Sequence, residues 1–472
     1  MGREALIKCG ILLLLSLALL VLPVWFYGAV DKDEPKYLES AKEMLETGDY
    51  ITPRFNCKPR PDKPVLIYWI ILAGYKLFGR SPGAGRFFVA MSGVFTLLSL
   101  FVWMLKRFGL EEAFWGALTL LSTLEFMLMN SVAMPDAVLL LFITLAVLSF
   151  YEQHHTLGTL FCALAFLTKG PVGVVLPLII ARPKGAFSLK NLFLFLMVAM
   201  PWYVVVALKE GISFVEKFFL FHNLTRFARG IPGHPSQWWY YLVNSLWIFL
   251  PVTPLIPVAV LRGFRDGGEK RFCSLWVLLV LAFFQMAKTK LPHYLLPSLP
   301  PISALVGVYF CRTDWYKRLI LGFLGLALCL KFFAVPIWDL ARRDLDAARL
   351  VLALSEGRRV YFYKYYSPAM IFNTGLCIDR IGRDELFRMV REGQRAIVIA
   401  SLRKIPKKRV GKVVFVYRPL LLGNPVAIIN LQKSCGKGDG HAETGIRVRL
   451  RGSGSGTPGA EGGGSCRLAY GP

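Results

Sequence analysis

The sequence predicts an α-helical polytopic membrane protein of about eleven spans with a small exterior α/β domain near its C-terminus. Three observations predict it. The chain is 55% hydrophobic and only 18% charged over 472 residues, more apolar surface than a soluble globule of that length hides. Its apolar residues gather in runs close to the roughly 17–25 residues that a bilayer core requires. Polarity rises only after about residue 338, where short alternating runs replace long apolar ones.

Candidate spans fall at about 7–27, 86–105, 113–130, 136–151, 157–168, 170–182, 190–208, 240–261, 272–287, 294–311 and 317–337. The two on either side of Thr168-Lys169-Gly170-Pro171 are short. Residues 5–27 have the apolarity of a signal peptide, but no small-x-small cleavage site follows, so they read as an uncleaved first span. The run 64–79 is short and carries Tyr68, Trp69, Tyr75 and Lys76. Charge decides its placement through the positive-inside rule. If 64–79 does not cross, the basic loops at Lys106-Arg107, 182–190, 262–271 and 311–318 all lie inside with Arg3 and Lys8. It is therefore read as an interfacial or re-entrant helix. The N-terminus is then cytoplasmic and the C-terminal domain exterior. Residues 31–85, 130–136, Lys169, 209–239 and 288–294 share the exterior face.

The chain divides into a membrane part, 1–337, with an exterior loop at 31–85; an exterior α/β domain, 338–432; and a Gly/Ser-rich tail, 433–472, too poor in apolar residues to fold. Within the α/β domain, 344–356 and 384–393 read as helices. Residues 359–363, 396–400, 413–417 and 426–431 read as strands. There is no internal repeat.

The formal net charge is +26. No helix-turn-helix or RNA-binding signature accompanies it, so nucleic acid is not the expected partner. Basic residues lie in loops between apolar runs, which points to membrane lipids and phosphorylated lipid substrates. Nine cysteines are scattered singly, giving neither a zinc-finger spacing nor a disulfide framework.

Several exterior residues carry possible chemistry, each beside a plainer role. In "DKDEPKYLES", Asp33 or Glu34 suits a helix cap ahead of Pro35, yet capping leaves Lys36 and Tyr37 unexplained. Lys63 is either a snorkelling anchor or a phosphate ligand at the edge of the bilayer. Asp136 suits an N-cap as well as a catalytic carboxylate. Lys169 suits the carbonyl groups at a helix end. In "AKTKLPHYLLP", Lys288 and Lys290 lie on the exterior face against the charge rule, and binding a phosphate gives a reason for them. Tyr294 follows them.

The ordered motifs "DEPKY…GDYITPRFN…DKPVLIYW", "MPD", "LTKGPVGVVLP", "HNLTRF", "WWYY" and "KTKLPHYLLP" resemble those of the bacterial lipid A aminoarabinose transferases and the wider protein mannosyltransferase-like family. The resemblance spans roughly residues 5–310 and implies the C-type membrane glycosyltransferase fold. It implies an inverting transferase of the bacterial inner membrane, taking a sugar from a polyprenyl-phosphate donor to a glycolipid such as lipid A, or to protein. By motif position, Asp33 is the implied catalytic carboxylate with Glu34 beside it, and Asp136 is the second carboxylate. Lys63, Lys36, Tyr37, Arg226, Lys288, Lys290 and Tyr294 are the implied phosphate ligands. Asp62 and His222 match a metal-contacting pair, so a divalent ion is a conceivable cofactor. The chain departs from the family in Pro35, in Lys36 where Arg is usual, and in Asp62-Lys63-Pro64-Val65 where Glu-Lys-Pro-Pro is usual.

The chemistry suits this layout. A departing phosphate needs its charge neutralised, and an acceptor hydroxyl needs a base. The rival reading is a transporter of lipid-linked sugars. Such proteins commonly show inverted repeats and midplane charges, whereas here the charges gather at one face.

Overall fold

The computed structural model describes residues 2–30, 32–230, 233, 235–340, 342–405, 411–417 and 425–431, and every statement below concerns these. The Gly/Ser-rich tail, His234 and the side chain of His222 lie outside them. The chain divides into two compact units, 1–341 and 342–472.

The first unit is helical: α1 (Arg3–Ser16), α2 (Glu34–Thr47), α3 (Leu66–Phe78), α4 (Pro82–Arg107), α5 (Leu110–Ser122), α6 (Leu124–Met129), α7 (Pro135–Tyr151), α8 (His155–Lys169), α9 (Val172–Ala181), α10 (Leu189–Glu210), α11 (Ile212–Glu216), α12 (Arg226–Ala228), α13 (Tyr240–Ile248), α14 (Ile256–Asp266), α15 (Gly268–Met286), α16 (Leu299–Phe310), α17 (Asp314–Cys329) and α18 (Val335–Leu340). By length and composition, four helices suffice to cross a membrane: Arg3–Trp25, Pro82–Arg107, Leu189–Glu210 and the one beginning at Asp314. A fifth counts if α13 and the helix that follows, bent by 119° at their break, form one span. Eleven were expected. Most of the others are short or interrupted. The expected span at 113–130 breaks at Thr123, where the backbone is extended. The one at 294–311 begins as a 3₁₀ helix, Pro292–Ser298, before α16. With 13 residues, α3 reaches only about 20 Å at 1.5 Å per residue, short of a hydrocarbon core of about 30 Å.

Small residues let these helices approach. A Cβ on Gly307 of α16 would stand 2.5 Å from the Gly116 Cα of α5. One on Gly74 of α3 would collide with the Ala84 carbonyl of α4. In an apolar solvent, where hydrophobic burial gives helices little reason to associate, such close packing and polar contacts hold them together. One polar contact joins the two ends of the unit. After Ser16 the first helix continues through a π turn, Leu17–Val21. Lys331, itself in a π turn (Leu330–Ala334) between α17 and α18, donates to Leu19 O at 2.8 Å and Ser131 Oγ at 2.6 Å. In α18, the Asp339 carboxylate accepts from Gly28 N at 3.0 Å.

The segment between α2 and α3 contains a two-residue hairpin, β1 (Arg54–Phe55) and β2 (Lys58–Pro59). Cys57 at its turn is disulfide-bonded. This corrects the expectation of no disulfide framework; cysteines scattered singly carry no spacing that reveals a bridge.

The second unit forms a five-stranded sheet: β3 (Arg359–Tyr363), β4 (Asp379–Ile381), β5 (Ala396–Ser401), β6 (Lys412–Tyr417) and β7 (Val426–Asn430), in the order β4-β3-β5-β7-β6. β3 pairs in parallel with β4 and β5, while β7 runs antiparallel to β5 and β6. Helices α19 (Asp344–Leu354), α20 (Pro368–Thr374) and α21 (Arg383–Arg391) accompany it. β5 is buried throughout, as a central strand between two neighbours requires. Cys377 is also disulfide-bonded.

Candidate active site

A cavity of about 310 Å³ opens among α7, α8, α9, α12, α15 and the 3₁₀ turn after Leu291. Its lining combines polar and apolar side chains. Lys63, Asp136, Lys169, Asn223, Arg226, Thr289, His293 and Tyr294 supply polar groups. Phe219, Leu224, Phe227, Phe283, Phe284 and Leu296 are among its apolar walls.

Local sequence explains how the charges arrive there. Pro135 starts α7, so Asp136 sits in its first turn. The N-cap position belongs to Met134, and the Asp136 carboxylate makes no cap bond; the capping role is not the one it takes. Instead it accepts from Lys169 Nζ at 2.5 Å, with His293 Nε2 at 3.8 Å. Lys169 is the last residue of α8. Gly170 ends that helix at φ +80°, and a Cβ there would strike the Phe218 ring at 2.6 Å, so glycine is required twice over. Pro171 then begins α9. The interruption leaves the Lys169 ammonium over the Tyr294 ring, 4.9 Å from its centroid.

Three cations, Lys63, Lys169 and Arg226, thus face one carboxylate in the lining. Burial, and then the charges of Lys169, Arg226 and Arg60, push the Lys63 ammonium down to about 7 despite Asp62. Burial pushes His293 down to about 4 against the pull of Asp136, so its imidazole is neutral at pH 7. Two donors are unused: Arg226 Nε and Thr289 Oγ1 are buried without hydrogen-bond partners among the described residues. Buried unsatisfied donors are costly in a finished structure and ordinary in a site awaiting an acceptor.

Asp33 precedes α2 at its N-cap position, but its side chain caps nothing. Its Oδ1 accepts from Lys36 Nζ at 2.6 Å. Burial works to raise its pKa; Lys36, Arg60 and Lys63 outweigh that and hold the carboxyl below the usual range. Asp33 is not among the residues that line the cavity; its charge acts on His293, which is.

Other candidates stand elsewhere. Glu34 is wholly buried and ion-paired with Arg86, with no room to meet an acceptor. Lys36 is taken by Asp33. Tyr37 is buried with its ring 4.5 Å from the Arg60 guanidinium. Lys288 is exposed and outside the lining. Lys290 is buried and donates to Gln285 O at 3.0 Å and Ala287 O at 2.6 Å, securing carbonyls at the C-terminal end of α15 rather than a ligand. Asp62 accepts from Arg60 Nε at 3.0 Å, and its carbonyl accepts from Lys63 at 2.9 Å. Cations on both sides of Asp62 do not fit a divalent ion. Among the described residues no three His, Cys, Asp or Glu side chains converge.

Residues 62–209 match the family described as dolichyl-phosphate-mannose-protein mannosyltransferase. An uncharacterised protein of Aquifex aeolicus is 33% identical over 377 residues, 78% of this chain and 88% of that protein. The undecaprenyl phosphate-alpha-4-amino-4-deoxy-L-arabinose arabinosyl transferase of Edwardsiella ictaluri is 32% identical over 357 residues, 67% of this chain and 63% of that protein. The chain therefore spans under two thirds of that transferase. The crystal structure of ArnT from Cupriavidus metallidurans bound to undecaprenyl phosphate superposes with a TM-score of 0.73 at 17% identity, covering 89% of this chain and 97% of that one.

Proposed function

The chain belongs to the aminoarabinose transferase and protein mannosyltransferase-like family of C-type membrane glycosyltransferases, and from that premise we propose that it moves one sugar from a polyprenyl-phosphate donor to an acceptor on the exterior side of a bacterial inner membrane. The observation that carries this reading is the pairing of three cations and two unused donors, Arg226 Nε and Thr289 Oγ1, with aromatic side chains in one cavity lining. Lys63, Lys169 and Arg226 take the donor phosphate, with Arg226 Nε and Thr289 Oγ1 gaining the acceptor they lack. The first isoprene units lie along Phe219, Phe227, Phe283 and Phe284.

The donor carries its own leaving group. As the sugar–phosphate bond breaks, charge grows on phosphate oxygen, and fixed cations stabilise it more than they stabilise the intact donor. Asp33 takes the proton of the acceptor hydroxyl; its depressed pKa keeps it ionised at neutral pH. Attack opposite the phosphate inverts the anomeric centre. Asp136 holds Lys169 in place and lies close to the reacting sugar. Lipid A, which the sequence resemblance implies, is the favoured acceptor, with another glycolipid or a protein as the alternative. The disulfide at Cys57 suits an oxidising, exterior compartment.

The test is transfer by the purified protein in detergent, with an undecaprenyl-phosphate sugar panel and lipid A, read by mass spectrometry. Detergent abolishes vectorial movement, so a transporter yields no product and a transferase does. No glycosylated product from any donor rejects the reading.

The pH dependence follows from Lys63. Its empty-site pKa is about 7, and a bound phosphate favours the charged form. Donor affinity is therefore greatest below pH 7 and falls as pH rises through it, by up to about tenfold per unit. Lys63→Arg, charged throughout, is expected to flatten undecaprenyl phosphate binding measured from pH 6 to 9.

A further inference from the structure

Glu34 and Arg86 form the most completely satisfied polar centre of the first unit. Both side chains are wholly buried. Arg86 Nε donates to Glu34 Oε1 at 2.6 Å and Nη2 to Oε2 at 2.7 Å. The remaining donors go to carbonyls at the end of the first span and just beyond it: Nη1 to Val24 O at 3.2 Å and Tyr27 O at 2.8 Å, and Nη2 to Gly28 O at 2.7 Å. All five N–H groups of the guanidinium are used. Glu34 is equally full. Its Oε2 also accepts from Val30 N at 2.9 Å, and its Oε1 from Ala133 N at 2.7 Å. Tyr27, whose ring lies 4.2 Å from the guanidinium, donates its hydroxyl to Ser131 O at 2.6 Å.

The chain positions joined here are informative. Glu34 follows Asp33 directly, and Ala133 lies three residues before Asp136. One buried carboxylate therefore ties together the two loops that present the two acidic groups of the site. We propose that the Glu34–Arg86 pair is a positioning device for sugar transfer, setting the separation of Asp33 and Asp136 without touching donor or acceptor. This rests on the reading of the preceding section. A fold staple alone would need no bond to Ala133 N, since Arg86 already joins α2, α4 and the end of the first span.

The device makes a split prediction. It fixes the carboxylates and not the phosphate ligands Lys63, Lys169 and Arg226. Arg86→Met should lower kcat about 100-fold, the loss that a displacement of about 1 Å produces. Donor KM and the affinity for undecaprenyl phosphate should stay within about twofold of wild type. Arg86→Lys, which restores charge but not the fork, should recover part of kcat. Hydrogen exchange at the Val30 and Ala133 amides should quicken in Arg86→Met. If that variant does not fold, Glu34→Gln carries the test: it keeps the shape, turns one acceptor oxygen into an NH2 that faces an Arg86 N–H and a backbone amide, and should show the same split.

Wild-type kcat in both variants overturns the proposal. So does loss of donor binding in step with kcat, which marks general destabilisation. If the wild-type protein itself transfers no sugar, the preceding reading fails instead, and the positioning device stands or falls on amide exchange and binding: unchanged exchange at Val30 and Ala133 overturns it.

Discussion

Asp33→Asn is expected to lower sugar transfer by about 10³-fold, within the range a general base supplies, while the protein folds and inserts as before. The substitution is isosteric and its site is half-exposed, with an ion pair to Lys36. Such a pair contributes only about 0–1 kcal/mol to stability. Asn keeps an oxygen for Lys36 but cannot accept a proton from the acceptor. Turnover measured beside thermal stability and undecaprenyl phosphate binding checks this. Retained turnover in a well-folded variant removes Asp33 from the mechanism.

The second large effect concerns Asp136 and Lys169, buried at 5% and 15% side-chain exposure. Removing one partner leaves the other charge in a poor solvent. Lys169→Met should therefore cost about 3–5 kcal/mol of stability and lower transfer by about 10²–10³-fold through loss of charge at the leaving phosphate. The double variant Asp136→Asn/Lys169→Met removes both charges. It should regain most of the stability and none of the turnover. Thermal unfolding and kinetics of the three variants together check the claim. Recovery of activity in the double variant would mean that the pair serves the fold alone.

Two lysines show what the sequence discloses and what it withholds. Lys169 was expected at helix-end carbonyls and Lys290 at phosphate. The structure exchanges those positions: Lys169 reaches Asp136, and Lys290 takes carbonyls near the end of α15. A cation just past a helix has those carbonyls within reach, and that rule would have identified Lys290. Nothing local reveals that Asp136, 33 residues earlier, approaches Lys169. His293 was likewise passed over, since a lone histidine in a loop carries no pattern. Arg86 was taken only as the start of a span; a charge one turn inside an apolar helix demands a partner, and Glu34 was available.

At the level of fold, β3 was legible because Val360, Tyr361, Phe362 and Tyr363 are an unbroken run of β-branched and aromatic residues. β4 has three residues, too few for a period to emerge, and α20 is a seven-residue helix opening with proline. The eleven expected spans assumed continuous helices. Thr123, Phe249 and the 3₁₀ turn after Leu291 interrupt them, and hydropathy averages do not register interruptions.

The bonds from Lys331 to Leu19 and Ser131, and from Asp339 to Gly28, bear on how this protein can be recombined with its relatives. The final helix of the first unit is a neighbour of the opening helix in every physical sense, though more than 300 residues separate them in sequence. A chimera spliced upstream of residue 331 would bring in a foreign last helix without the ammonium and carboxylate that bond the host's first helix and the segment just after it. The natural seam for exchanging the C-terminal part lies beyond residue 340.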